Sequence, residues 1–280
     1  VGTDDHPQWS VQTNGRKFGT YDHVVIAHNG KCADRLMSRT PAKDLHSLLR
    51  VDFKPFVPNW GGKRMTLNSI YSLTVALKKV DGKSIFGNQS NKIITAFIKN
   101  EPTLRLVTNQ SRKYGKEDGD IEILTILSSA KFAKKYKGPQ ENLPIDLQEN
   151  VTKLMLGALE RSLGLESESI HDGLVLDKRL QLWGAAVPLN VWSGEDDSDK
   201  IDQEPVKSIS TSGFLYDANY AVGACGDWLL DPSIGGAWES GRRLANWLVE
   251  NNGNGSIGLP PNGQFKVSKA ASGSGIGNVR

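Results

Sequence analysis

A chain of 280 residues is long enough for one large domain or two domains of ordinary size. Hydrophobic residues make up 38% of it and charged residues 23%, which is typical of a soluble globular protein with a buried core. A net charge of +3 argues against nucleic acid and acidic membrane surfaces as partners. We also find no signal peptide and no apolar run long enough to cross a membrane, so the expected partner is a small-molecule substrate.

The cysteines and histidines predict no metal site. Cys32 and Cys225 lie far apart and form no CxxC pair. This is typical of reduced, buried thiols in an intracellular protein, with a single disulfide as the alternative. The five histidines show no metal-ligand spacing, and we interpret each as a surface or packing residue.

The first 50 residues predict strands. Trp9 and Val11 alternate with polar residues up to the turn signal Asn14-Gly15, which favours a hairpin. The continuous apolar run at 24–27 ("VVIA") is typical of a strand buried on both faces, as in a parallel sheet.

The middle of the chain predicts a mostly antiparallel sheet and one long helix. Apolar and polar residues alternate through "YSLTVAL", and "KIITAFI", "TLRLVT" and "IEILTIL" repeat this style between turn residues. The helix is predicted to open at Asp146, with Glu149 in capping-box spacing, and to end at Gly164. An acidic, turn-rich segment at 191–208 is expected to be a flexible insertion.

The candidate site lies in "GACGDWLLDPSIGGAWESGRRLANWL", which predicts a short strand, a Gly-Asp step, a loop and a helix. Open α/β sheets bind ligands at the carboxyl ends of strands, so Asp227, directly after Gly226, could accept hydrogen bonds from a sugar-like chain. Gly235 and Gly236 would let the backbone approach the ligand, and free N–H groups of the helix would point at it. The alternative is an ordinary strand–turn–helix with a capping aspartate.

The residues "CGDWLLDPSIGGAWESGRRLA" are similar to the carboxyl-terminal flavin motif of FAD-dependent amine oxidases. "WSVQTNGRKFGTYDHVVIAHNG" resembles the hairpin and strand that precede the substrate domain of these enzymes, and "SIYSLTVAL" and "LQLWGAAVP" resemble the renalase branch. The resemblance covers roughly residues 8–250. It implies that Asp227 bonds the ribityl chain of FAD and that the backbone at Gly236 and Ala237 faces the pyrimidine edge of the flavin.

The resemblance also implies the activity. The flavin would take a hydride from a small reduced substrate, an amine or a nicotinamide such as NAD(P)H, and pass the electrons to oxygen or another acceptor. Trp183 would line the substrate cavity, although packing between sheet and helix is an equal alternative. The sequence identifies no general base, and the family does not require one.

The resemblance divides an α/β (α+β) fold into parts. Residues 1–50 would be a remnant of a Rossmann-like FAD-binding domain, 51–190 a substrate domain whose sheet roofs the flavin, and 209–250 the carboxyl-terminal part of the FAD-binding domain. The tail at 251–280 is rich in Gly, Asn and Ser, and we expect it to be disordered and dispensable for the fold.

One element of the family pattern is missing. The family begins with a GxGxxG turn that holds the FAD pyrophosphate, and none precedes Trp9. The match "GNGSIG" at 253–258 follows a helix and runs into Leu259 and two prolines, so we reject it as a phosphate site. Because the chain opens with Val1 rather than Met, we interpret its start as a cut end and expect this chain alone to be inactive. The alternative function is a non-catalytic binding or interaction module that keeps the substrate-domain fold.

Overall fold

The computed structural model describes residues 8–87, 93–170, 173–193, 212–259 and 264–268. The helices in these ranges are α1 (Gly30–Met37), α2 (Lys43–Leu49), α3 (Gln110–Lys113), α4 (Ala130–Lys135), α5 (Ile145–Leu163) and α6 (Ile234–Asn251). The strands are β1 (Trp9–Thr13), β2 (Arg16–Tyr21), β3 (Val24–Ile26), β4 (Val51–Phe53), β5 (Met65–Leu67), β6 (Ile70–Lys78), β7 (Thr95–Phe97), β8 (Leu104–Asn109), β9 (Ile121–Ser128), β10 (Val175–Trp183), β11 (Asn190–Ser193), β12 (Leu215–Asp217), β13 (Val222–Ala224) and β14 (Gln264–Val267). Helices and mostly antiparallel sheets make this an α+β fold, which confirms the predicted class.

The described residues form two units. The first unit contains those within 1–67 and 187–278, and the second unit contains those within 68–186. Residues 51–67, which the sequence analysis grouped with the middle sheet, fall in the first unit, and within this segment β4 pairs in parallel with β5. In addition, the Thr66 N–H donates to Asn190 Oδ1 at 2.7 Å.

The second unit is built on a five-stranded sheet in the order β10-β6-β9-β8-β7, with every neighbouring pair antiparallel. Its two faces differ as the sequence alternation predicts. Leu73 and Val75 are fully buried in a core shared with α5, whereas Ser72 and Thr74 lie on the opposite face and are only partly buried. We call this opposite face the outer face.

Helix α5 covers the inner face of that sheet. Val151, Met155 and Leu159 recur every four residues and are fully buried, as expected for an amphipathic helix. The predicted capping box is wrong: the N-cap residue is Pro144, and no side chain caps the helix. Gly164, with a φ of +67°, ends the helix in the left-handed conformation, which confirms the predicted C-cap.

The first unit contains a three-stranded sheet in the order β12-β13-β3. Strand β3 pairs in parallel with β13, as the apolar run at 24–27 predicts. The prediction that this run is buried on both faces is wrong, because Val25 in the middle of β3 is 42% exposed. Helix α6 packs closely on the sheet: a Cβ on Gly223 would lie 3.0 Å from Leu244 Cδ2.

The tail is not disordered throughout, so that prediction is wrong for part of it. Strand β14 pairs antiparallel with β11, and Phe265 is 2% exposed with its ring centroid 5.0 Å from that of Trp192. Ile257 and Tyr216 also exchange two backbone hydrogen bonds of 2.9 Å. Tail residues 260–263 and 269–280, like the acidic residues 194–208 and the histidines His6 and His171, lie outside the described residues.

We expect Phe265→Ala to lower the free energy of unfolding of the first unit by about 3 kcal/mol, because it removes a buried aromatic ring and leaves a cavity beside Trp192. Urea denaturation followed by tryptophan fluorescence measures this. The matched control is Gln264→Ala, whose side chain is exposed on the same strand and should change stability by less than about 0.5 kcal/mol. Equal stability of both variants would show that the tail is dispensable after all.

Candidate functional site

Two polar side chains meet where β3 and β13 end. Because the strands are parallel, their carboxyl ends lie at the same edge of the sheet. Asn29 is the third residue after β3 and Asp227 the third after β13, and Asn29 Nδ2 donates to Asp227 Oδ1 at 3.2 Å. The structure thus joins the predicted Asp227 to Asn29, which the sequence analysis missed. The sequence did contain a signal for Asn29. It follows a strand that was predicted to lie in a parallel sheet, just as Asp227 follows the neighbouring strand.

The Asp227 carboxylate is largely removed from water. Burial raises its pKa above the ordinary value of 3.8, and the nearby Asp231 carboxylate adds to the rise. Hydrogen bonds from its own N–H, the Asn29 amide and the Trp228 N–H act in the opposite direction without cancelling it. A desolvated carboxylate of this kind is a strong acceptor for hydroxyl groups.

Gly226 holds Asp227 in position through the backbone. Its φ of +152° is a conformation that side chains disfavour, and a Cβ here would lie 3.0 Å from Trp228 Cδ1. Its N–H donates to Ser240 Oγ at 2.9 Å, and Ser240 Oγ donates to Gly213 O at 2.5 Å. The fully buried Ser240 therefore ties helix α6 to the end of β13.

Helix α6 uses several of its first N–H groups internally. Ser233 is the N-cap residue: its Oγ accepts the Gly236 N–H at 2.9 Å, and its carbonyl accepts the Ala237 N–H at 2.9 Å. The two N–H groups that the family resemblance assigns to the flavin are therefore already bonded. Ile234 and Gly235 are exposed residues, and within the described chain their N–H groups have no such partner. Both stand at the positive end of the helix dipole.

The fold requires a glycine at position 236, whether or not a ligand is bound. A Cβ on this residue would lie 2.0 Å from Asp231 O and 2.8 Å from Asp231 C. The sequence analysis interpreted this glycine as an approach to a ligand, but the close approach is to the backbone of the preceding turn. Gly235 differs, since the nearest atom to its added Cβ is Ser233 Oγ at 3.8 Å.

The remaining predicted features fall elsewhere. Trp183 ends β10 in the second unit and is 53% exposed, so it is not packed between sheet and helix, and its place in a substrate cavity stays a prediction. Both cysteines are free; Cys225 is buried as expected, but Cys32 is exposed.

The described residues contain no cluster of three His, Cys, Asp or Glu side chains that could hold a metal ion. None of their helices is both long and apolar enough to span a membrane.

Comparisons with known proteins assign no family to the chain. No protein-family model matches the sequence, and no curated protein matches it. A crystal structure described as "Putative protoporphyrinogen oxidase from Exiguobacterium sp. 255-15" is similar with a TM-score of 0.41 and 10% sequence identity. The match covers 67% of this chain and 34% of that one, so this chain spans about a third of the length of that protein.

We expect Asp227→Asn to raise the melting temperature at neutral pH. The folded-state pKa of Asp227 is raised, so the stability that its protonated form provides is fully present below pH 3.8 and is lost as pH rises through the folded pKa. The amide stays neutral throughout and can still accept from Asn29. Thermal unfolding of both proteins across this pH range should show the gain at neutral pH and its disappearance below pH 3.8.

The control for this experiment is Asp118→Asn, at an exposed position in a turn of the second unit. Its melting temperature should follow that of the parent at every pH. A lower melting temperature for Asp227→Asn at neutral pH would contradict the burial argument, since it would mean that the ionised form stabilises the fold.

Proposed function

We propose that this chain is part of a renalase-like FAD-dependent oxidoreductase. When bound, the flavin would accept a hydride from a small reduced substrate, an amine or a nicotinamide such as NAD(P)H, and deliver the electrons to oxygen or another acceptor. The residues of this chain would bind and orient the cofactor. The sequence similarity to the carboxyl-terminal flavin motif motivates the proposal.

The observation that carries the proposal is the pairing of Asp227 with Asn29 at the shared edge of β3 and β13. A ribityl chain carries several hydroxyl groups that can donate hydrogen bonds. A desolvated carboxylate, held in orientation by a neighbouring amide, is a strong acceptor for them. Asn29 holds one carboxylate oxygen at 3.2 Å and so fixes the orientation of the group. We therefore assign Asp227 to the ribityl hydroxyls and Asn29 to positioning it.

The fit to the rest of the flavin differs from the family expectation. The Gly236 and Ala237 N–H groups are bonded to Ser233, so they are poorly placed to bind the pyrimidine edge. The N–H groups of Ile234 and Gly235, two residues earlier in the chain, would take this role at the positive end of helix α6. No acid or base is assigned.

Riboflavin is the sharpest probe, because it carries the ring and the ribityl chain but needs no pyrophosphate site. Asp227→Ala should weaken its binding by about ten- to hundredfold, since it removes a charged acceptor from a hydroxyl donor. Lumiflavin, which keeps the isoalloxazine ring but has a methyl group in place of the ribityl chain, should bind the parent and the variant equally. Quenching of ligand fluorescence on titration measures all four affinities.

The matched control is Asp118→Ala, an exposed aspartate in the second unit that should leave both affinities unchanged. If riboflavin does not bind the parent, or binds Asp227→Ala equally well, the flavin assignment is wrong. The non-catalytic binding or interaction module would then be the better description of the chain.

A further inference from the structure

Three paired residues form a row across the sheet β12-β13-β3 and face helix α6. Tyr216 is paired with Gly223, and Gly223 with Val25, so the three positions share one face of the sheet. The helix covers the first two positions. The ring centroid of Tyr216 lies 4.8 Å from that of Trp247, and a Cβ on Gly223 would lie 3.0 Å from Leu244 Cδ2. Val25, at the third position, is 42% exposed, so the cover that α6 gives this face stops short of β3.

The exposed apolar surface of α6 lies on the same side as β3. Successive residues of a helix are rotated by about 100°, so going round α6 from Trp247 to Leu244 leads from β12 to β13. Continuing in the same direction leads towards β3, and the apolar residues reached there are Ile234, Ala245, Trp238 and Val249. All four are exposed: Ile234 by 91%, Trp238 by 68% and Val249 by 86%. We call these four residues and Val25 the β3–α6 face.

Strand β3 also has an open edge beside this face. Its one neighbour among the described strands is β13. Val24 and Ile26 form backbone hydrogen bonds to the β13 side, so the N–H and C=O groups of Val25, between them, are directed to the open side. An edge strand of this kind can pair with a strand of another chain.

We propose that the β3–α6 face is the interface of a symmetric dimer of this chain. Strand β3 would pair antiparallel with β3 of a second copy about a two-fold axis through Val25, which joins the two sheets into one of six strands. The two α6 helices would then pack side by side, antiparallel, on one face of that sheet. Two-fold dimers of this type are the commonest protein assemblies.

The β3–α6 face is complementary to itself about such an axis. Because Leu244 covers Gly223 and helical side chains lean towards the helix N-terminus, Val25 lies level with the part of α6 between Gly241 and Leu244. The midpoint of the exposed apolar residues falls in the same part of the helix. Antiparallel helices would therefore place Ile234 against Val249 of the second copy and the large Trp238 against the small Ala245, an alternation that lets side chains interlock.

The area and the charge of the face also suit a second copy. The exposed fractions of the five residues correspond to roughly 600 Å² per copy, or about 1,200 Å² in the dimer, which reaches the range of specific interfaces. Arg242 lies beside the axis, but its guanidinium donates to both carboxylate oxygens of Glu239 at 2.8 Å. The charge that each copy presents to the other is thereby largely balanced within the same helix.

Sedimentation equilibrium of the intact chain tests the assembly. The parent should have twice the chain mass of 30.6 kDa at micromolar concentration. Trp238→Glu should weaken dimerisation by at least about thirtyfold, because aromatic residues at the centre of an interface contribute most of its binding energy. The matched control is Trp60→Glu: Trp60 is 62% exposed but belongs to neither β3 nor α6, so this variant should remain a dimer. A monomeric parent, aggregates that grow without limit, or equal losses from both variants would overturn the proposal.

A charge exchange at position 25 tests the two-fold axis itself. A residue on such an axis meets its own counterpart, so Val25→Lys and Val25→Glu should each dimerise weakly because like charges face one another. An equimolar mixture of the two variants should form heterodimers. Charged residues are common on edge strands, and circular dichroism of each variant checks that it folds. Failure of the mixture to dimerise, or full dimerisation of either variant alone, would refute the axis. The dimer does not rest on the flavin, so the riboflavin titration and the sedimentation experiment can fail separately.

Discussion

The parallel pairing of β3 with β13 is the constraint on which the candidate site depends. Backbone hydrogen bonds of 3.1 Å extend the ladder at both ends, from Val24 N–H to Ala221 O and from Cys225 N–H to Ile26 O. This register places Asn29 and Asp227 at one edge although they lie 198 residues apart in sequence. The hydrogen bonds of Gly226 and Ser240 then fix helix α6 against the same edge. A change in this register would separate the elements of the site.

Buried charges in this protein fall into two kinds. Glu122 is 2% exposed, and its carboxylate accepts from Ser84 Oγ at 2.6 Å and Asn109 Nδ2 at 2.7 Å. These hydrogen bonds connect separate segments inside the second unit. Asp227 differs, because burial raises its pKa and the hydrogen bonds that it accepts do not offset the rise.

Local patterns predicted much of the fold and part of the site. The alternation in β6 and the glycine at the end of α5 depend on neighbouring residues alone, and both predictions are confirmed. The partnership of Asn29 with Asp227 and the contact of Gly236 with Asp231 depend on how the backbone folds back, which no local pattern encodes. The sequence did not predict strand β14, because the strand has only four residues and the composition of the thirty-residue tail around it is typical of disorder. One buried ring, that of Phe265, holds the strand in place.

The division into two units has a consequence for how the chain acquires its structure. The second unit is one continuous stretch, so all the strands of its sheet and α5 are available to fold once residue 186 has left the ribosome. The first unit is split, and β3 must wait for β13 while β11 waits for β14. Until then its apolar strand edges remain open to other chains. We therefore expect the second unit to fold first on the ribosome and the first unit to be the part that needs protection from aggregation.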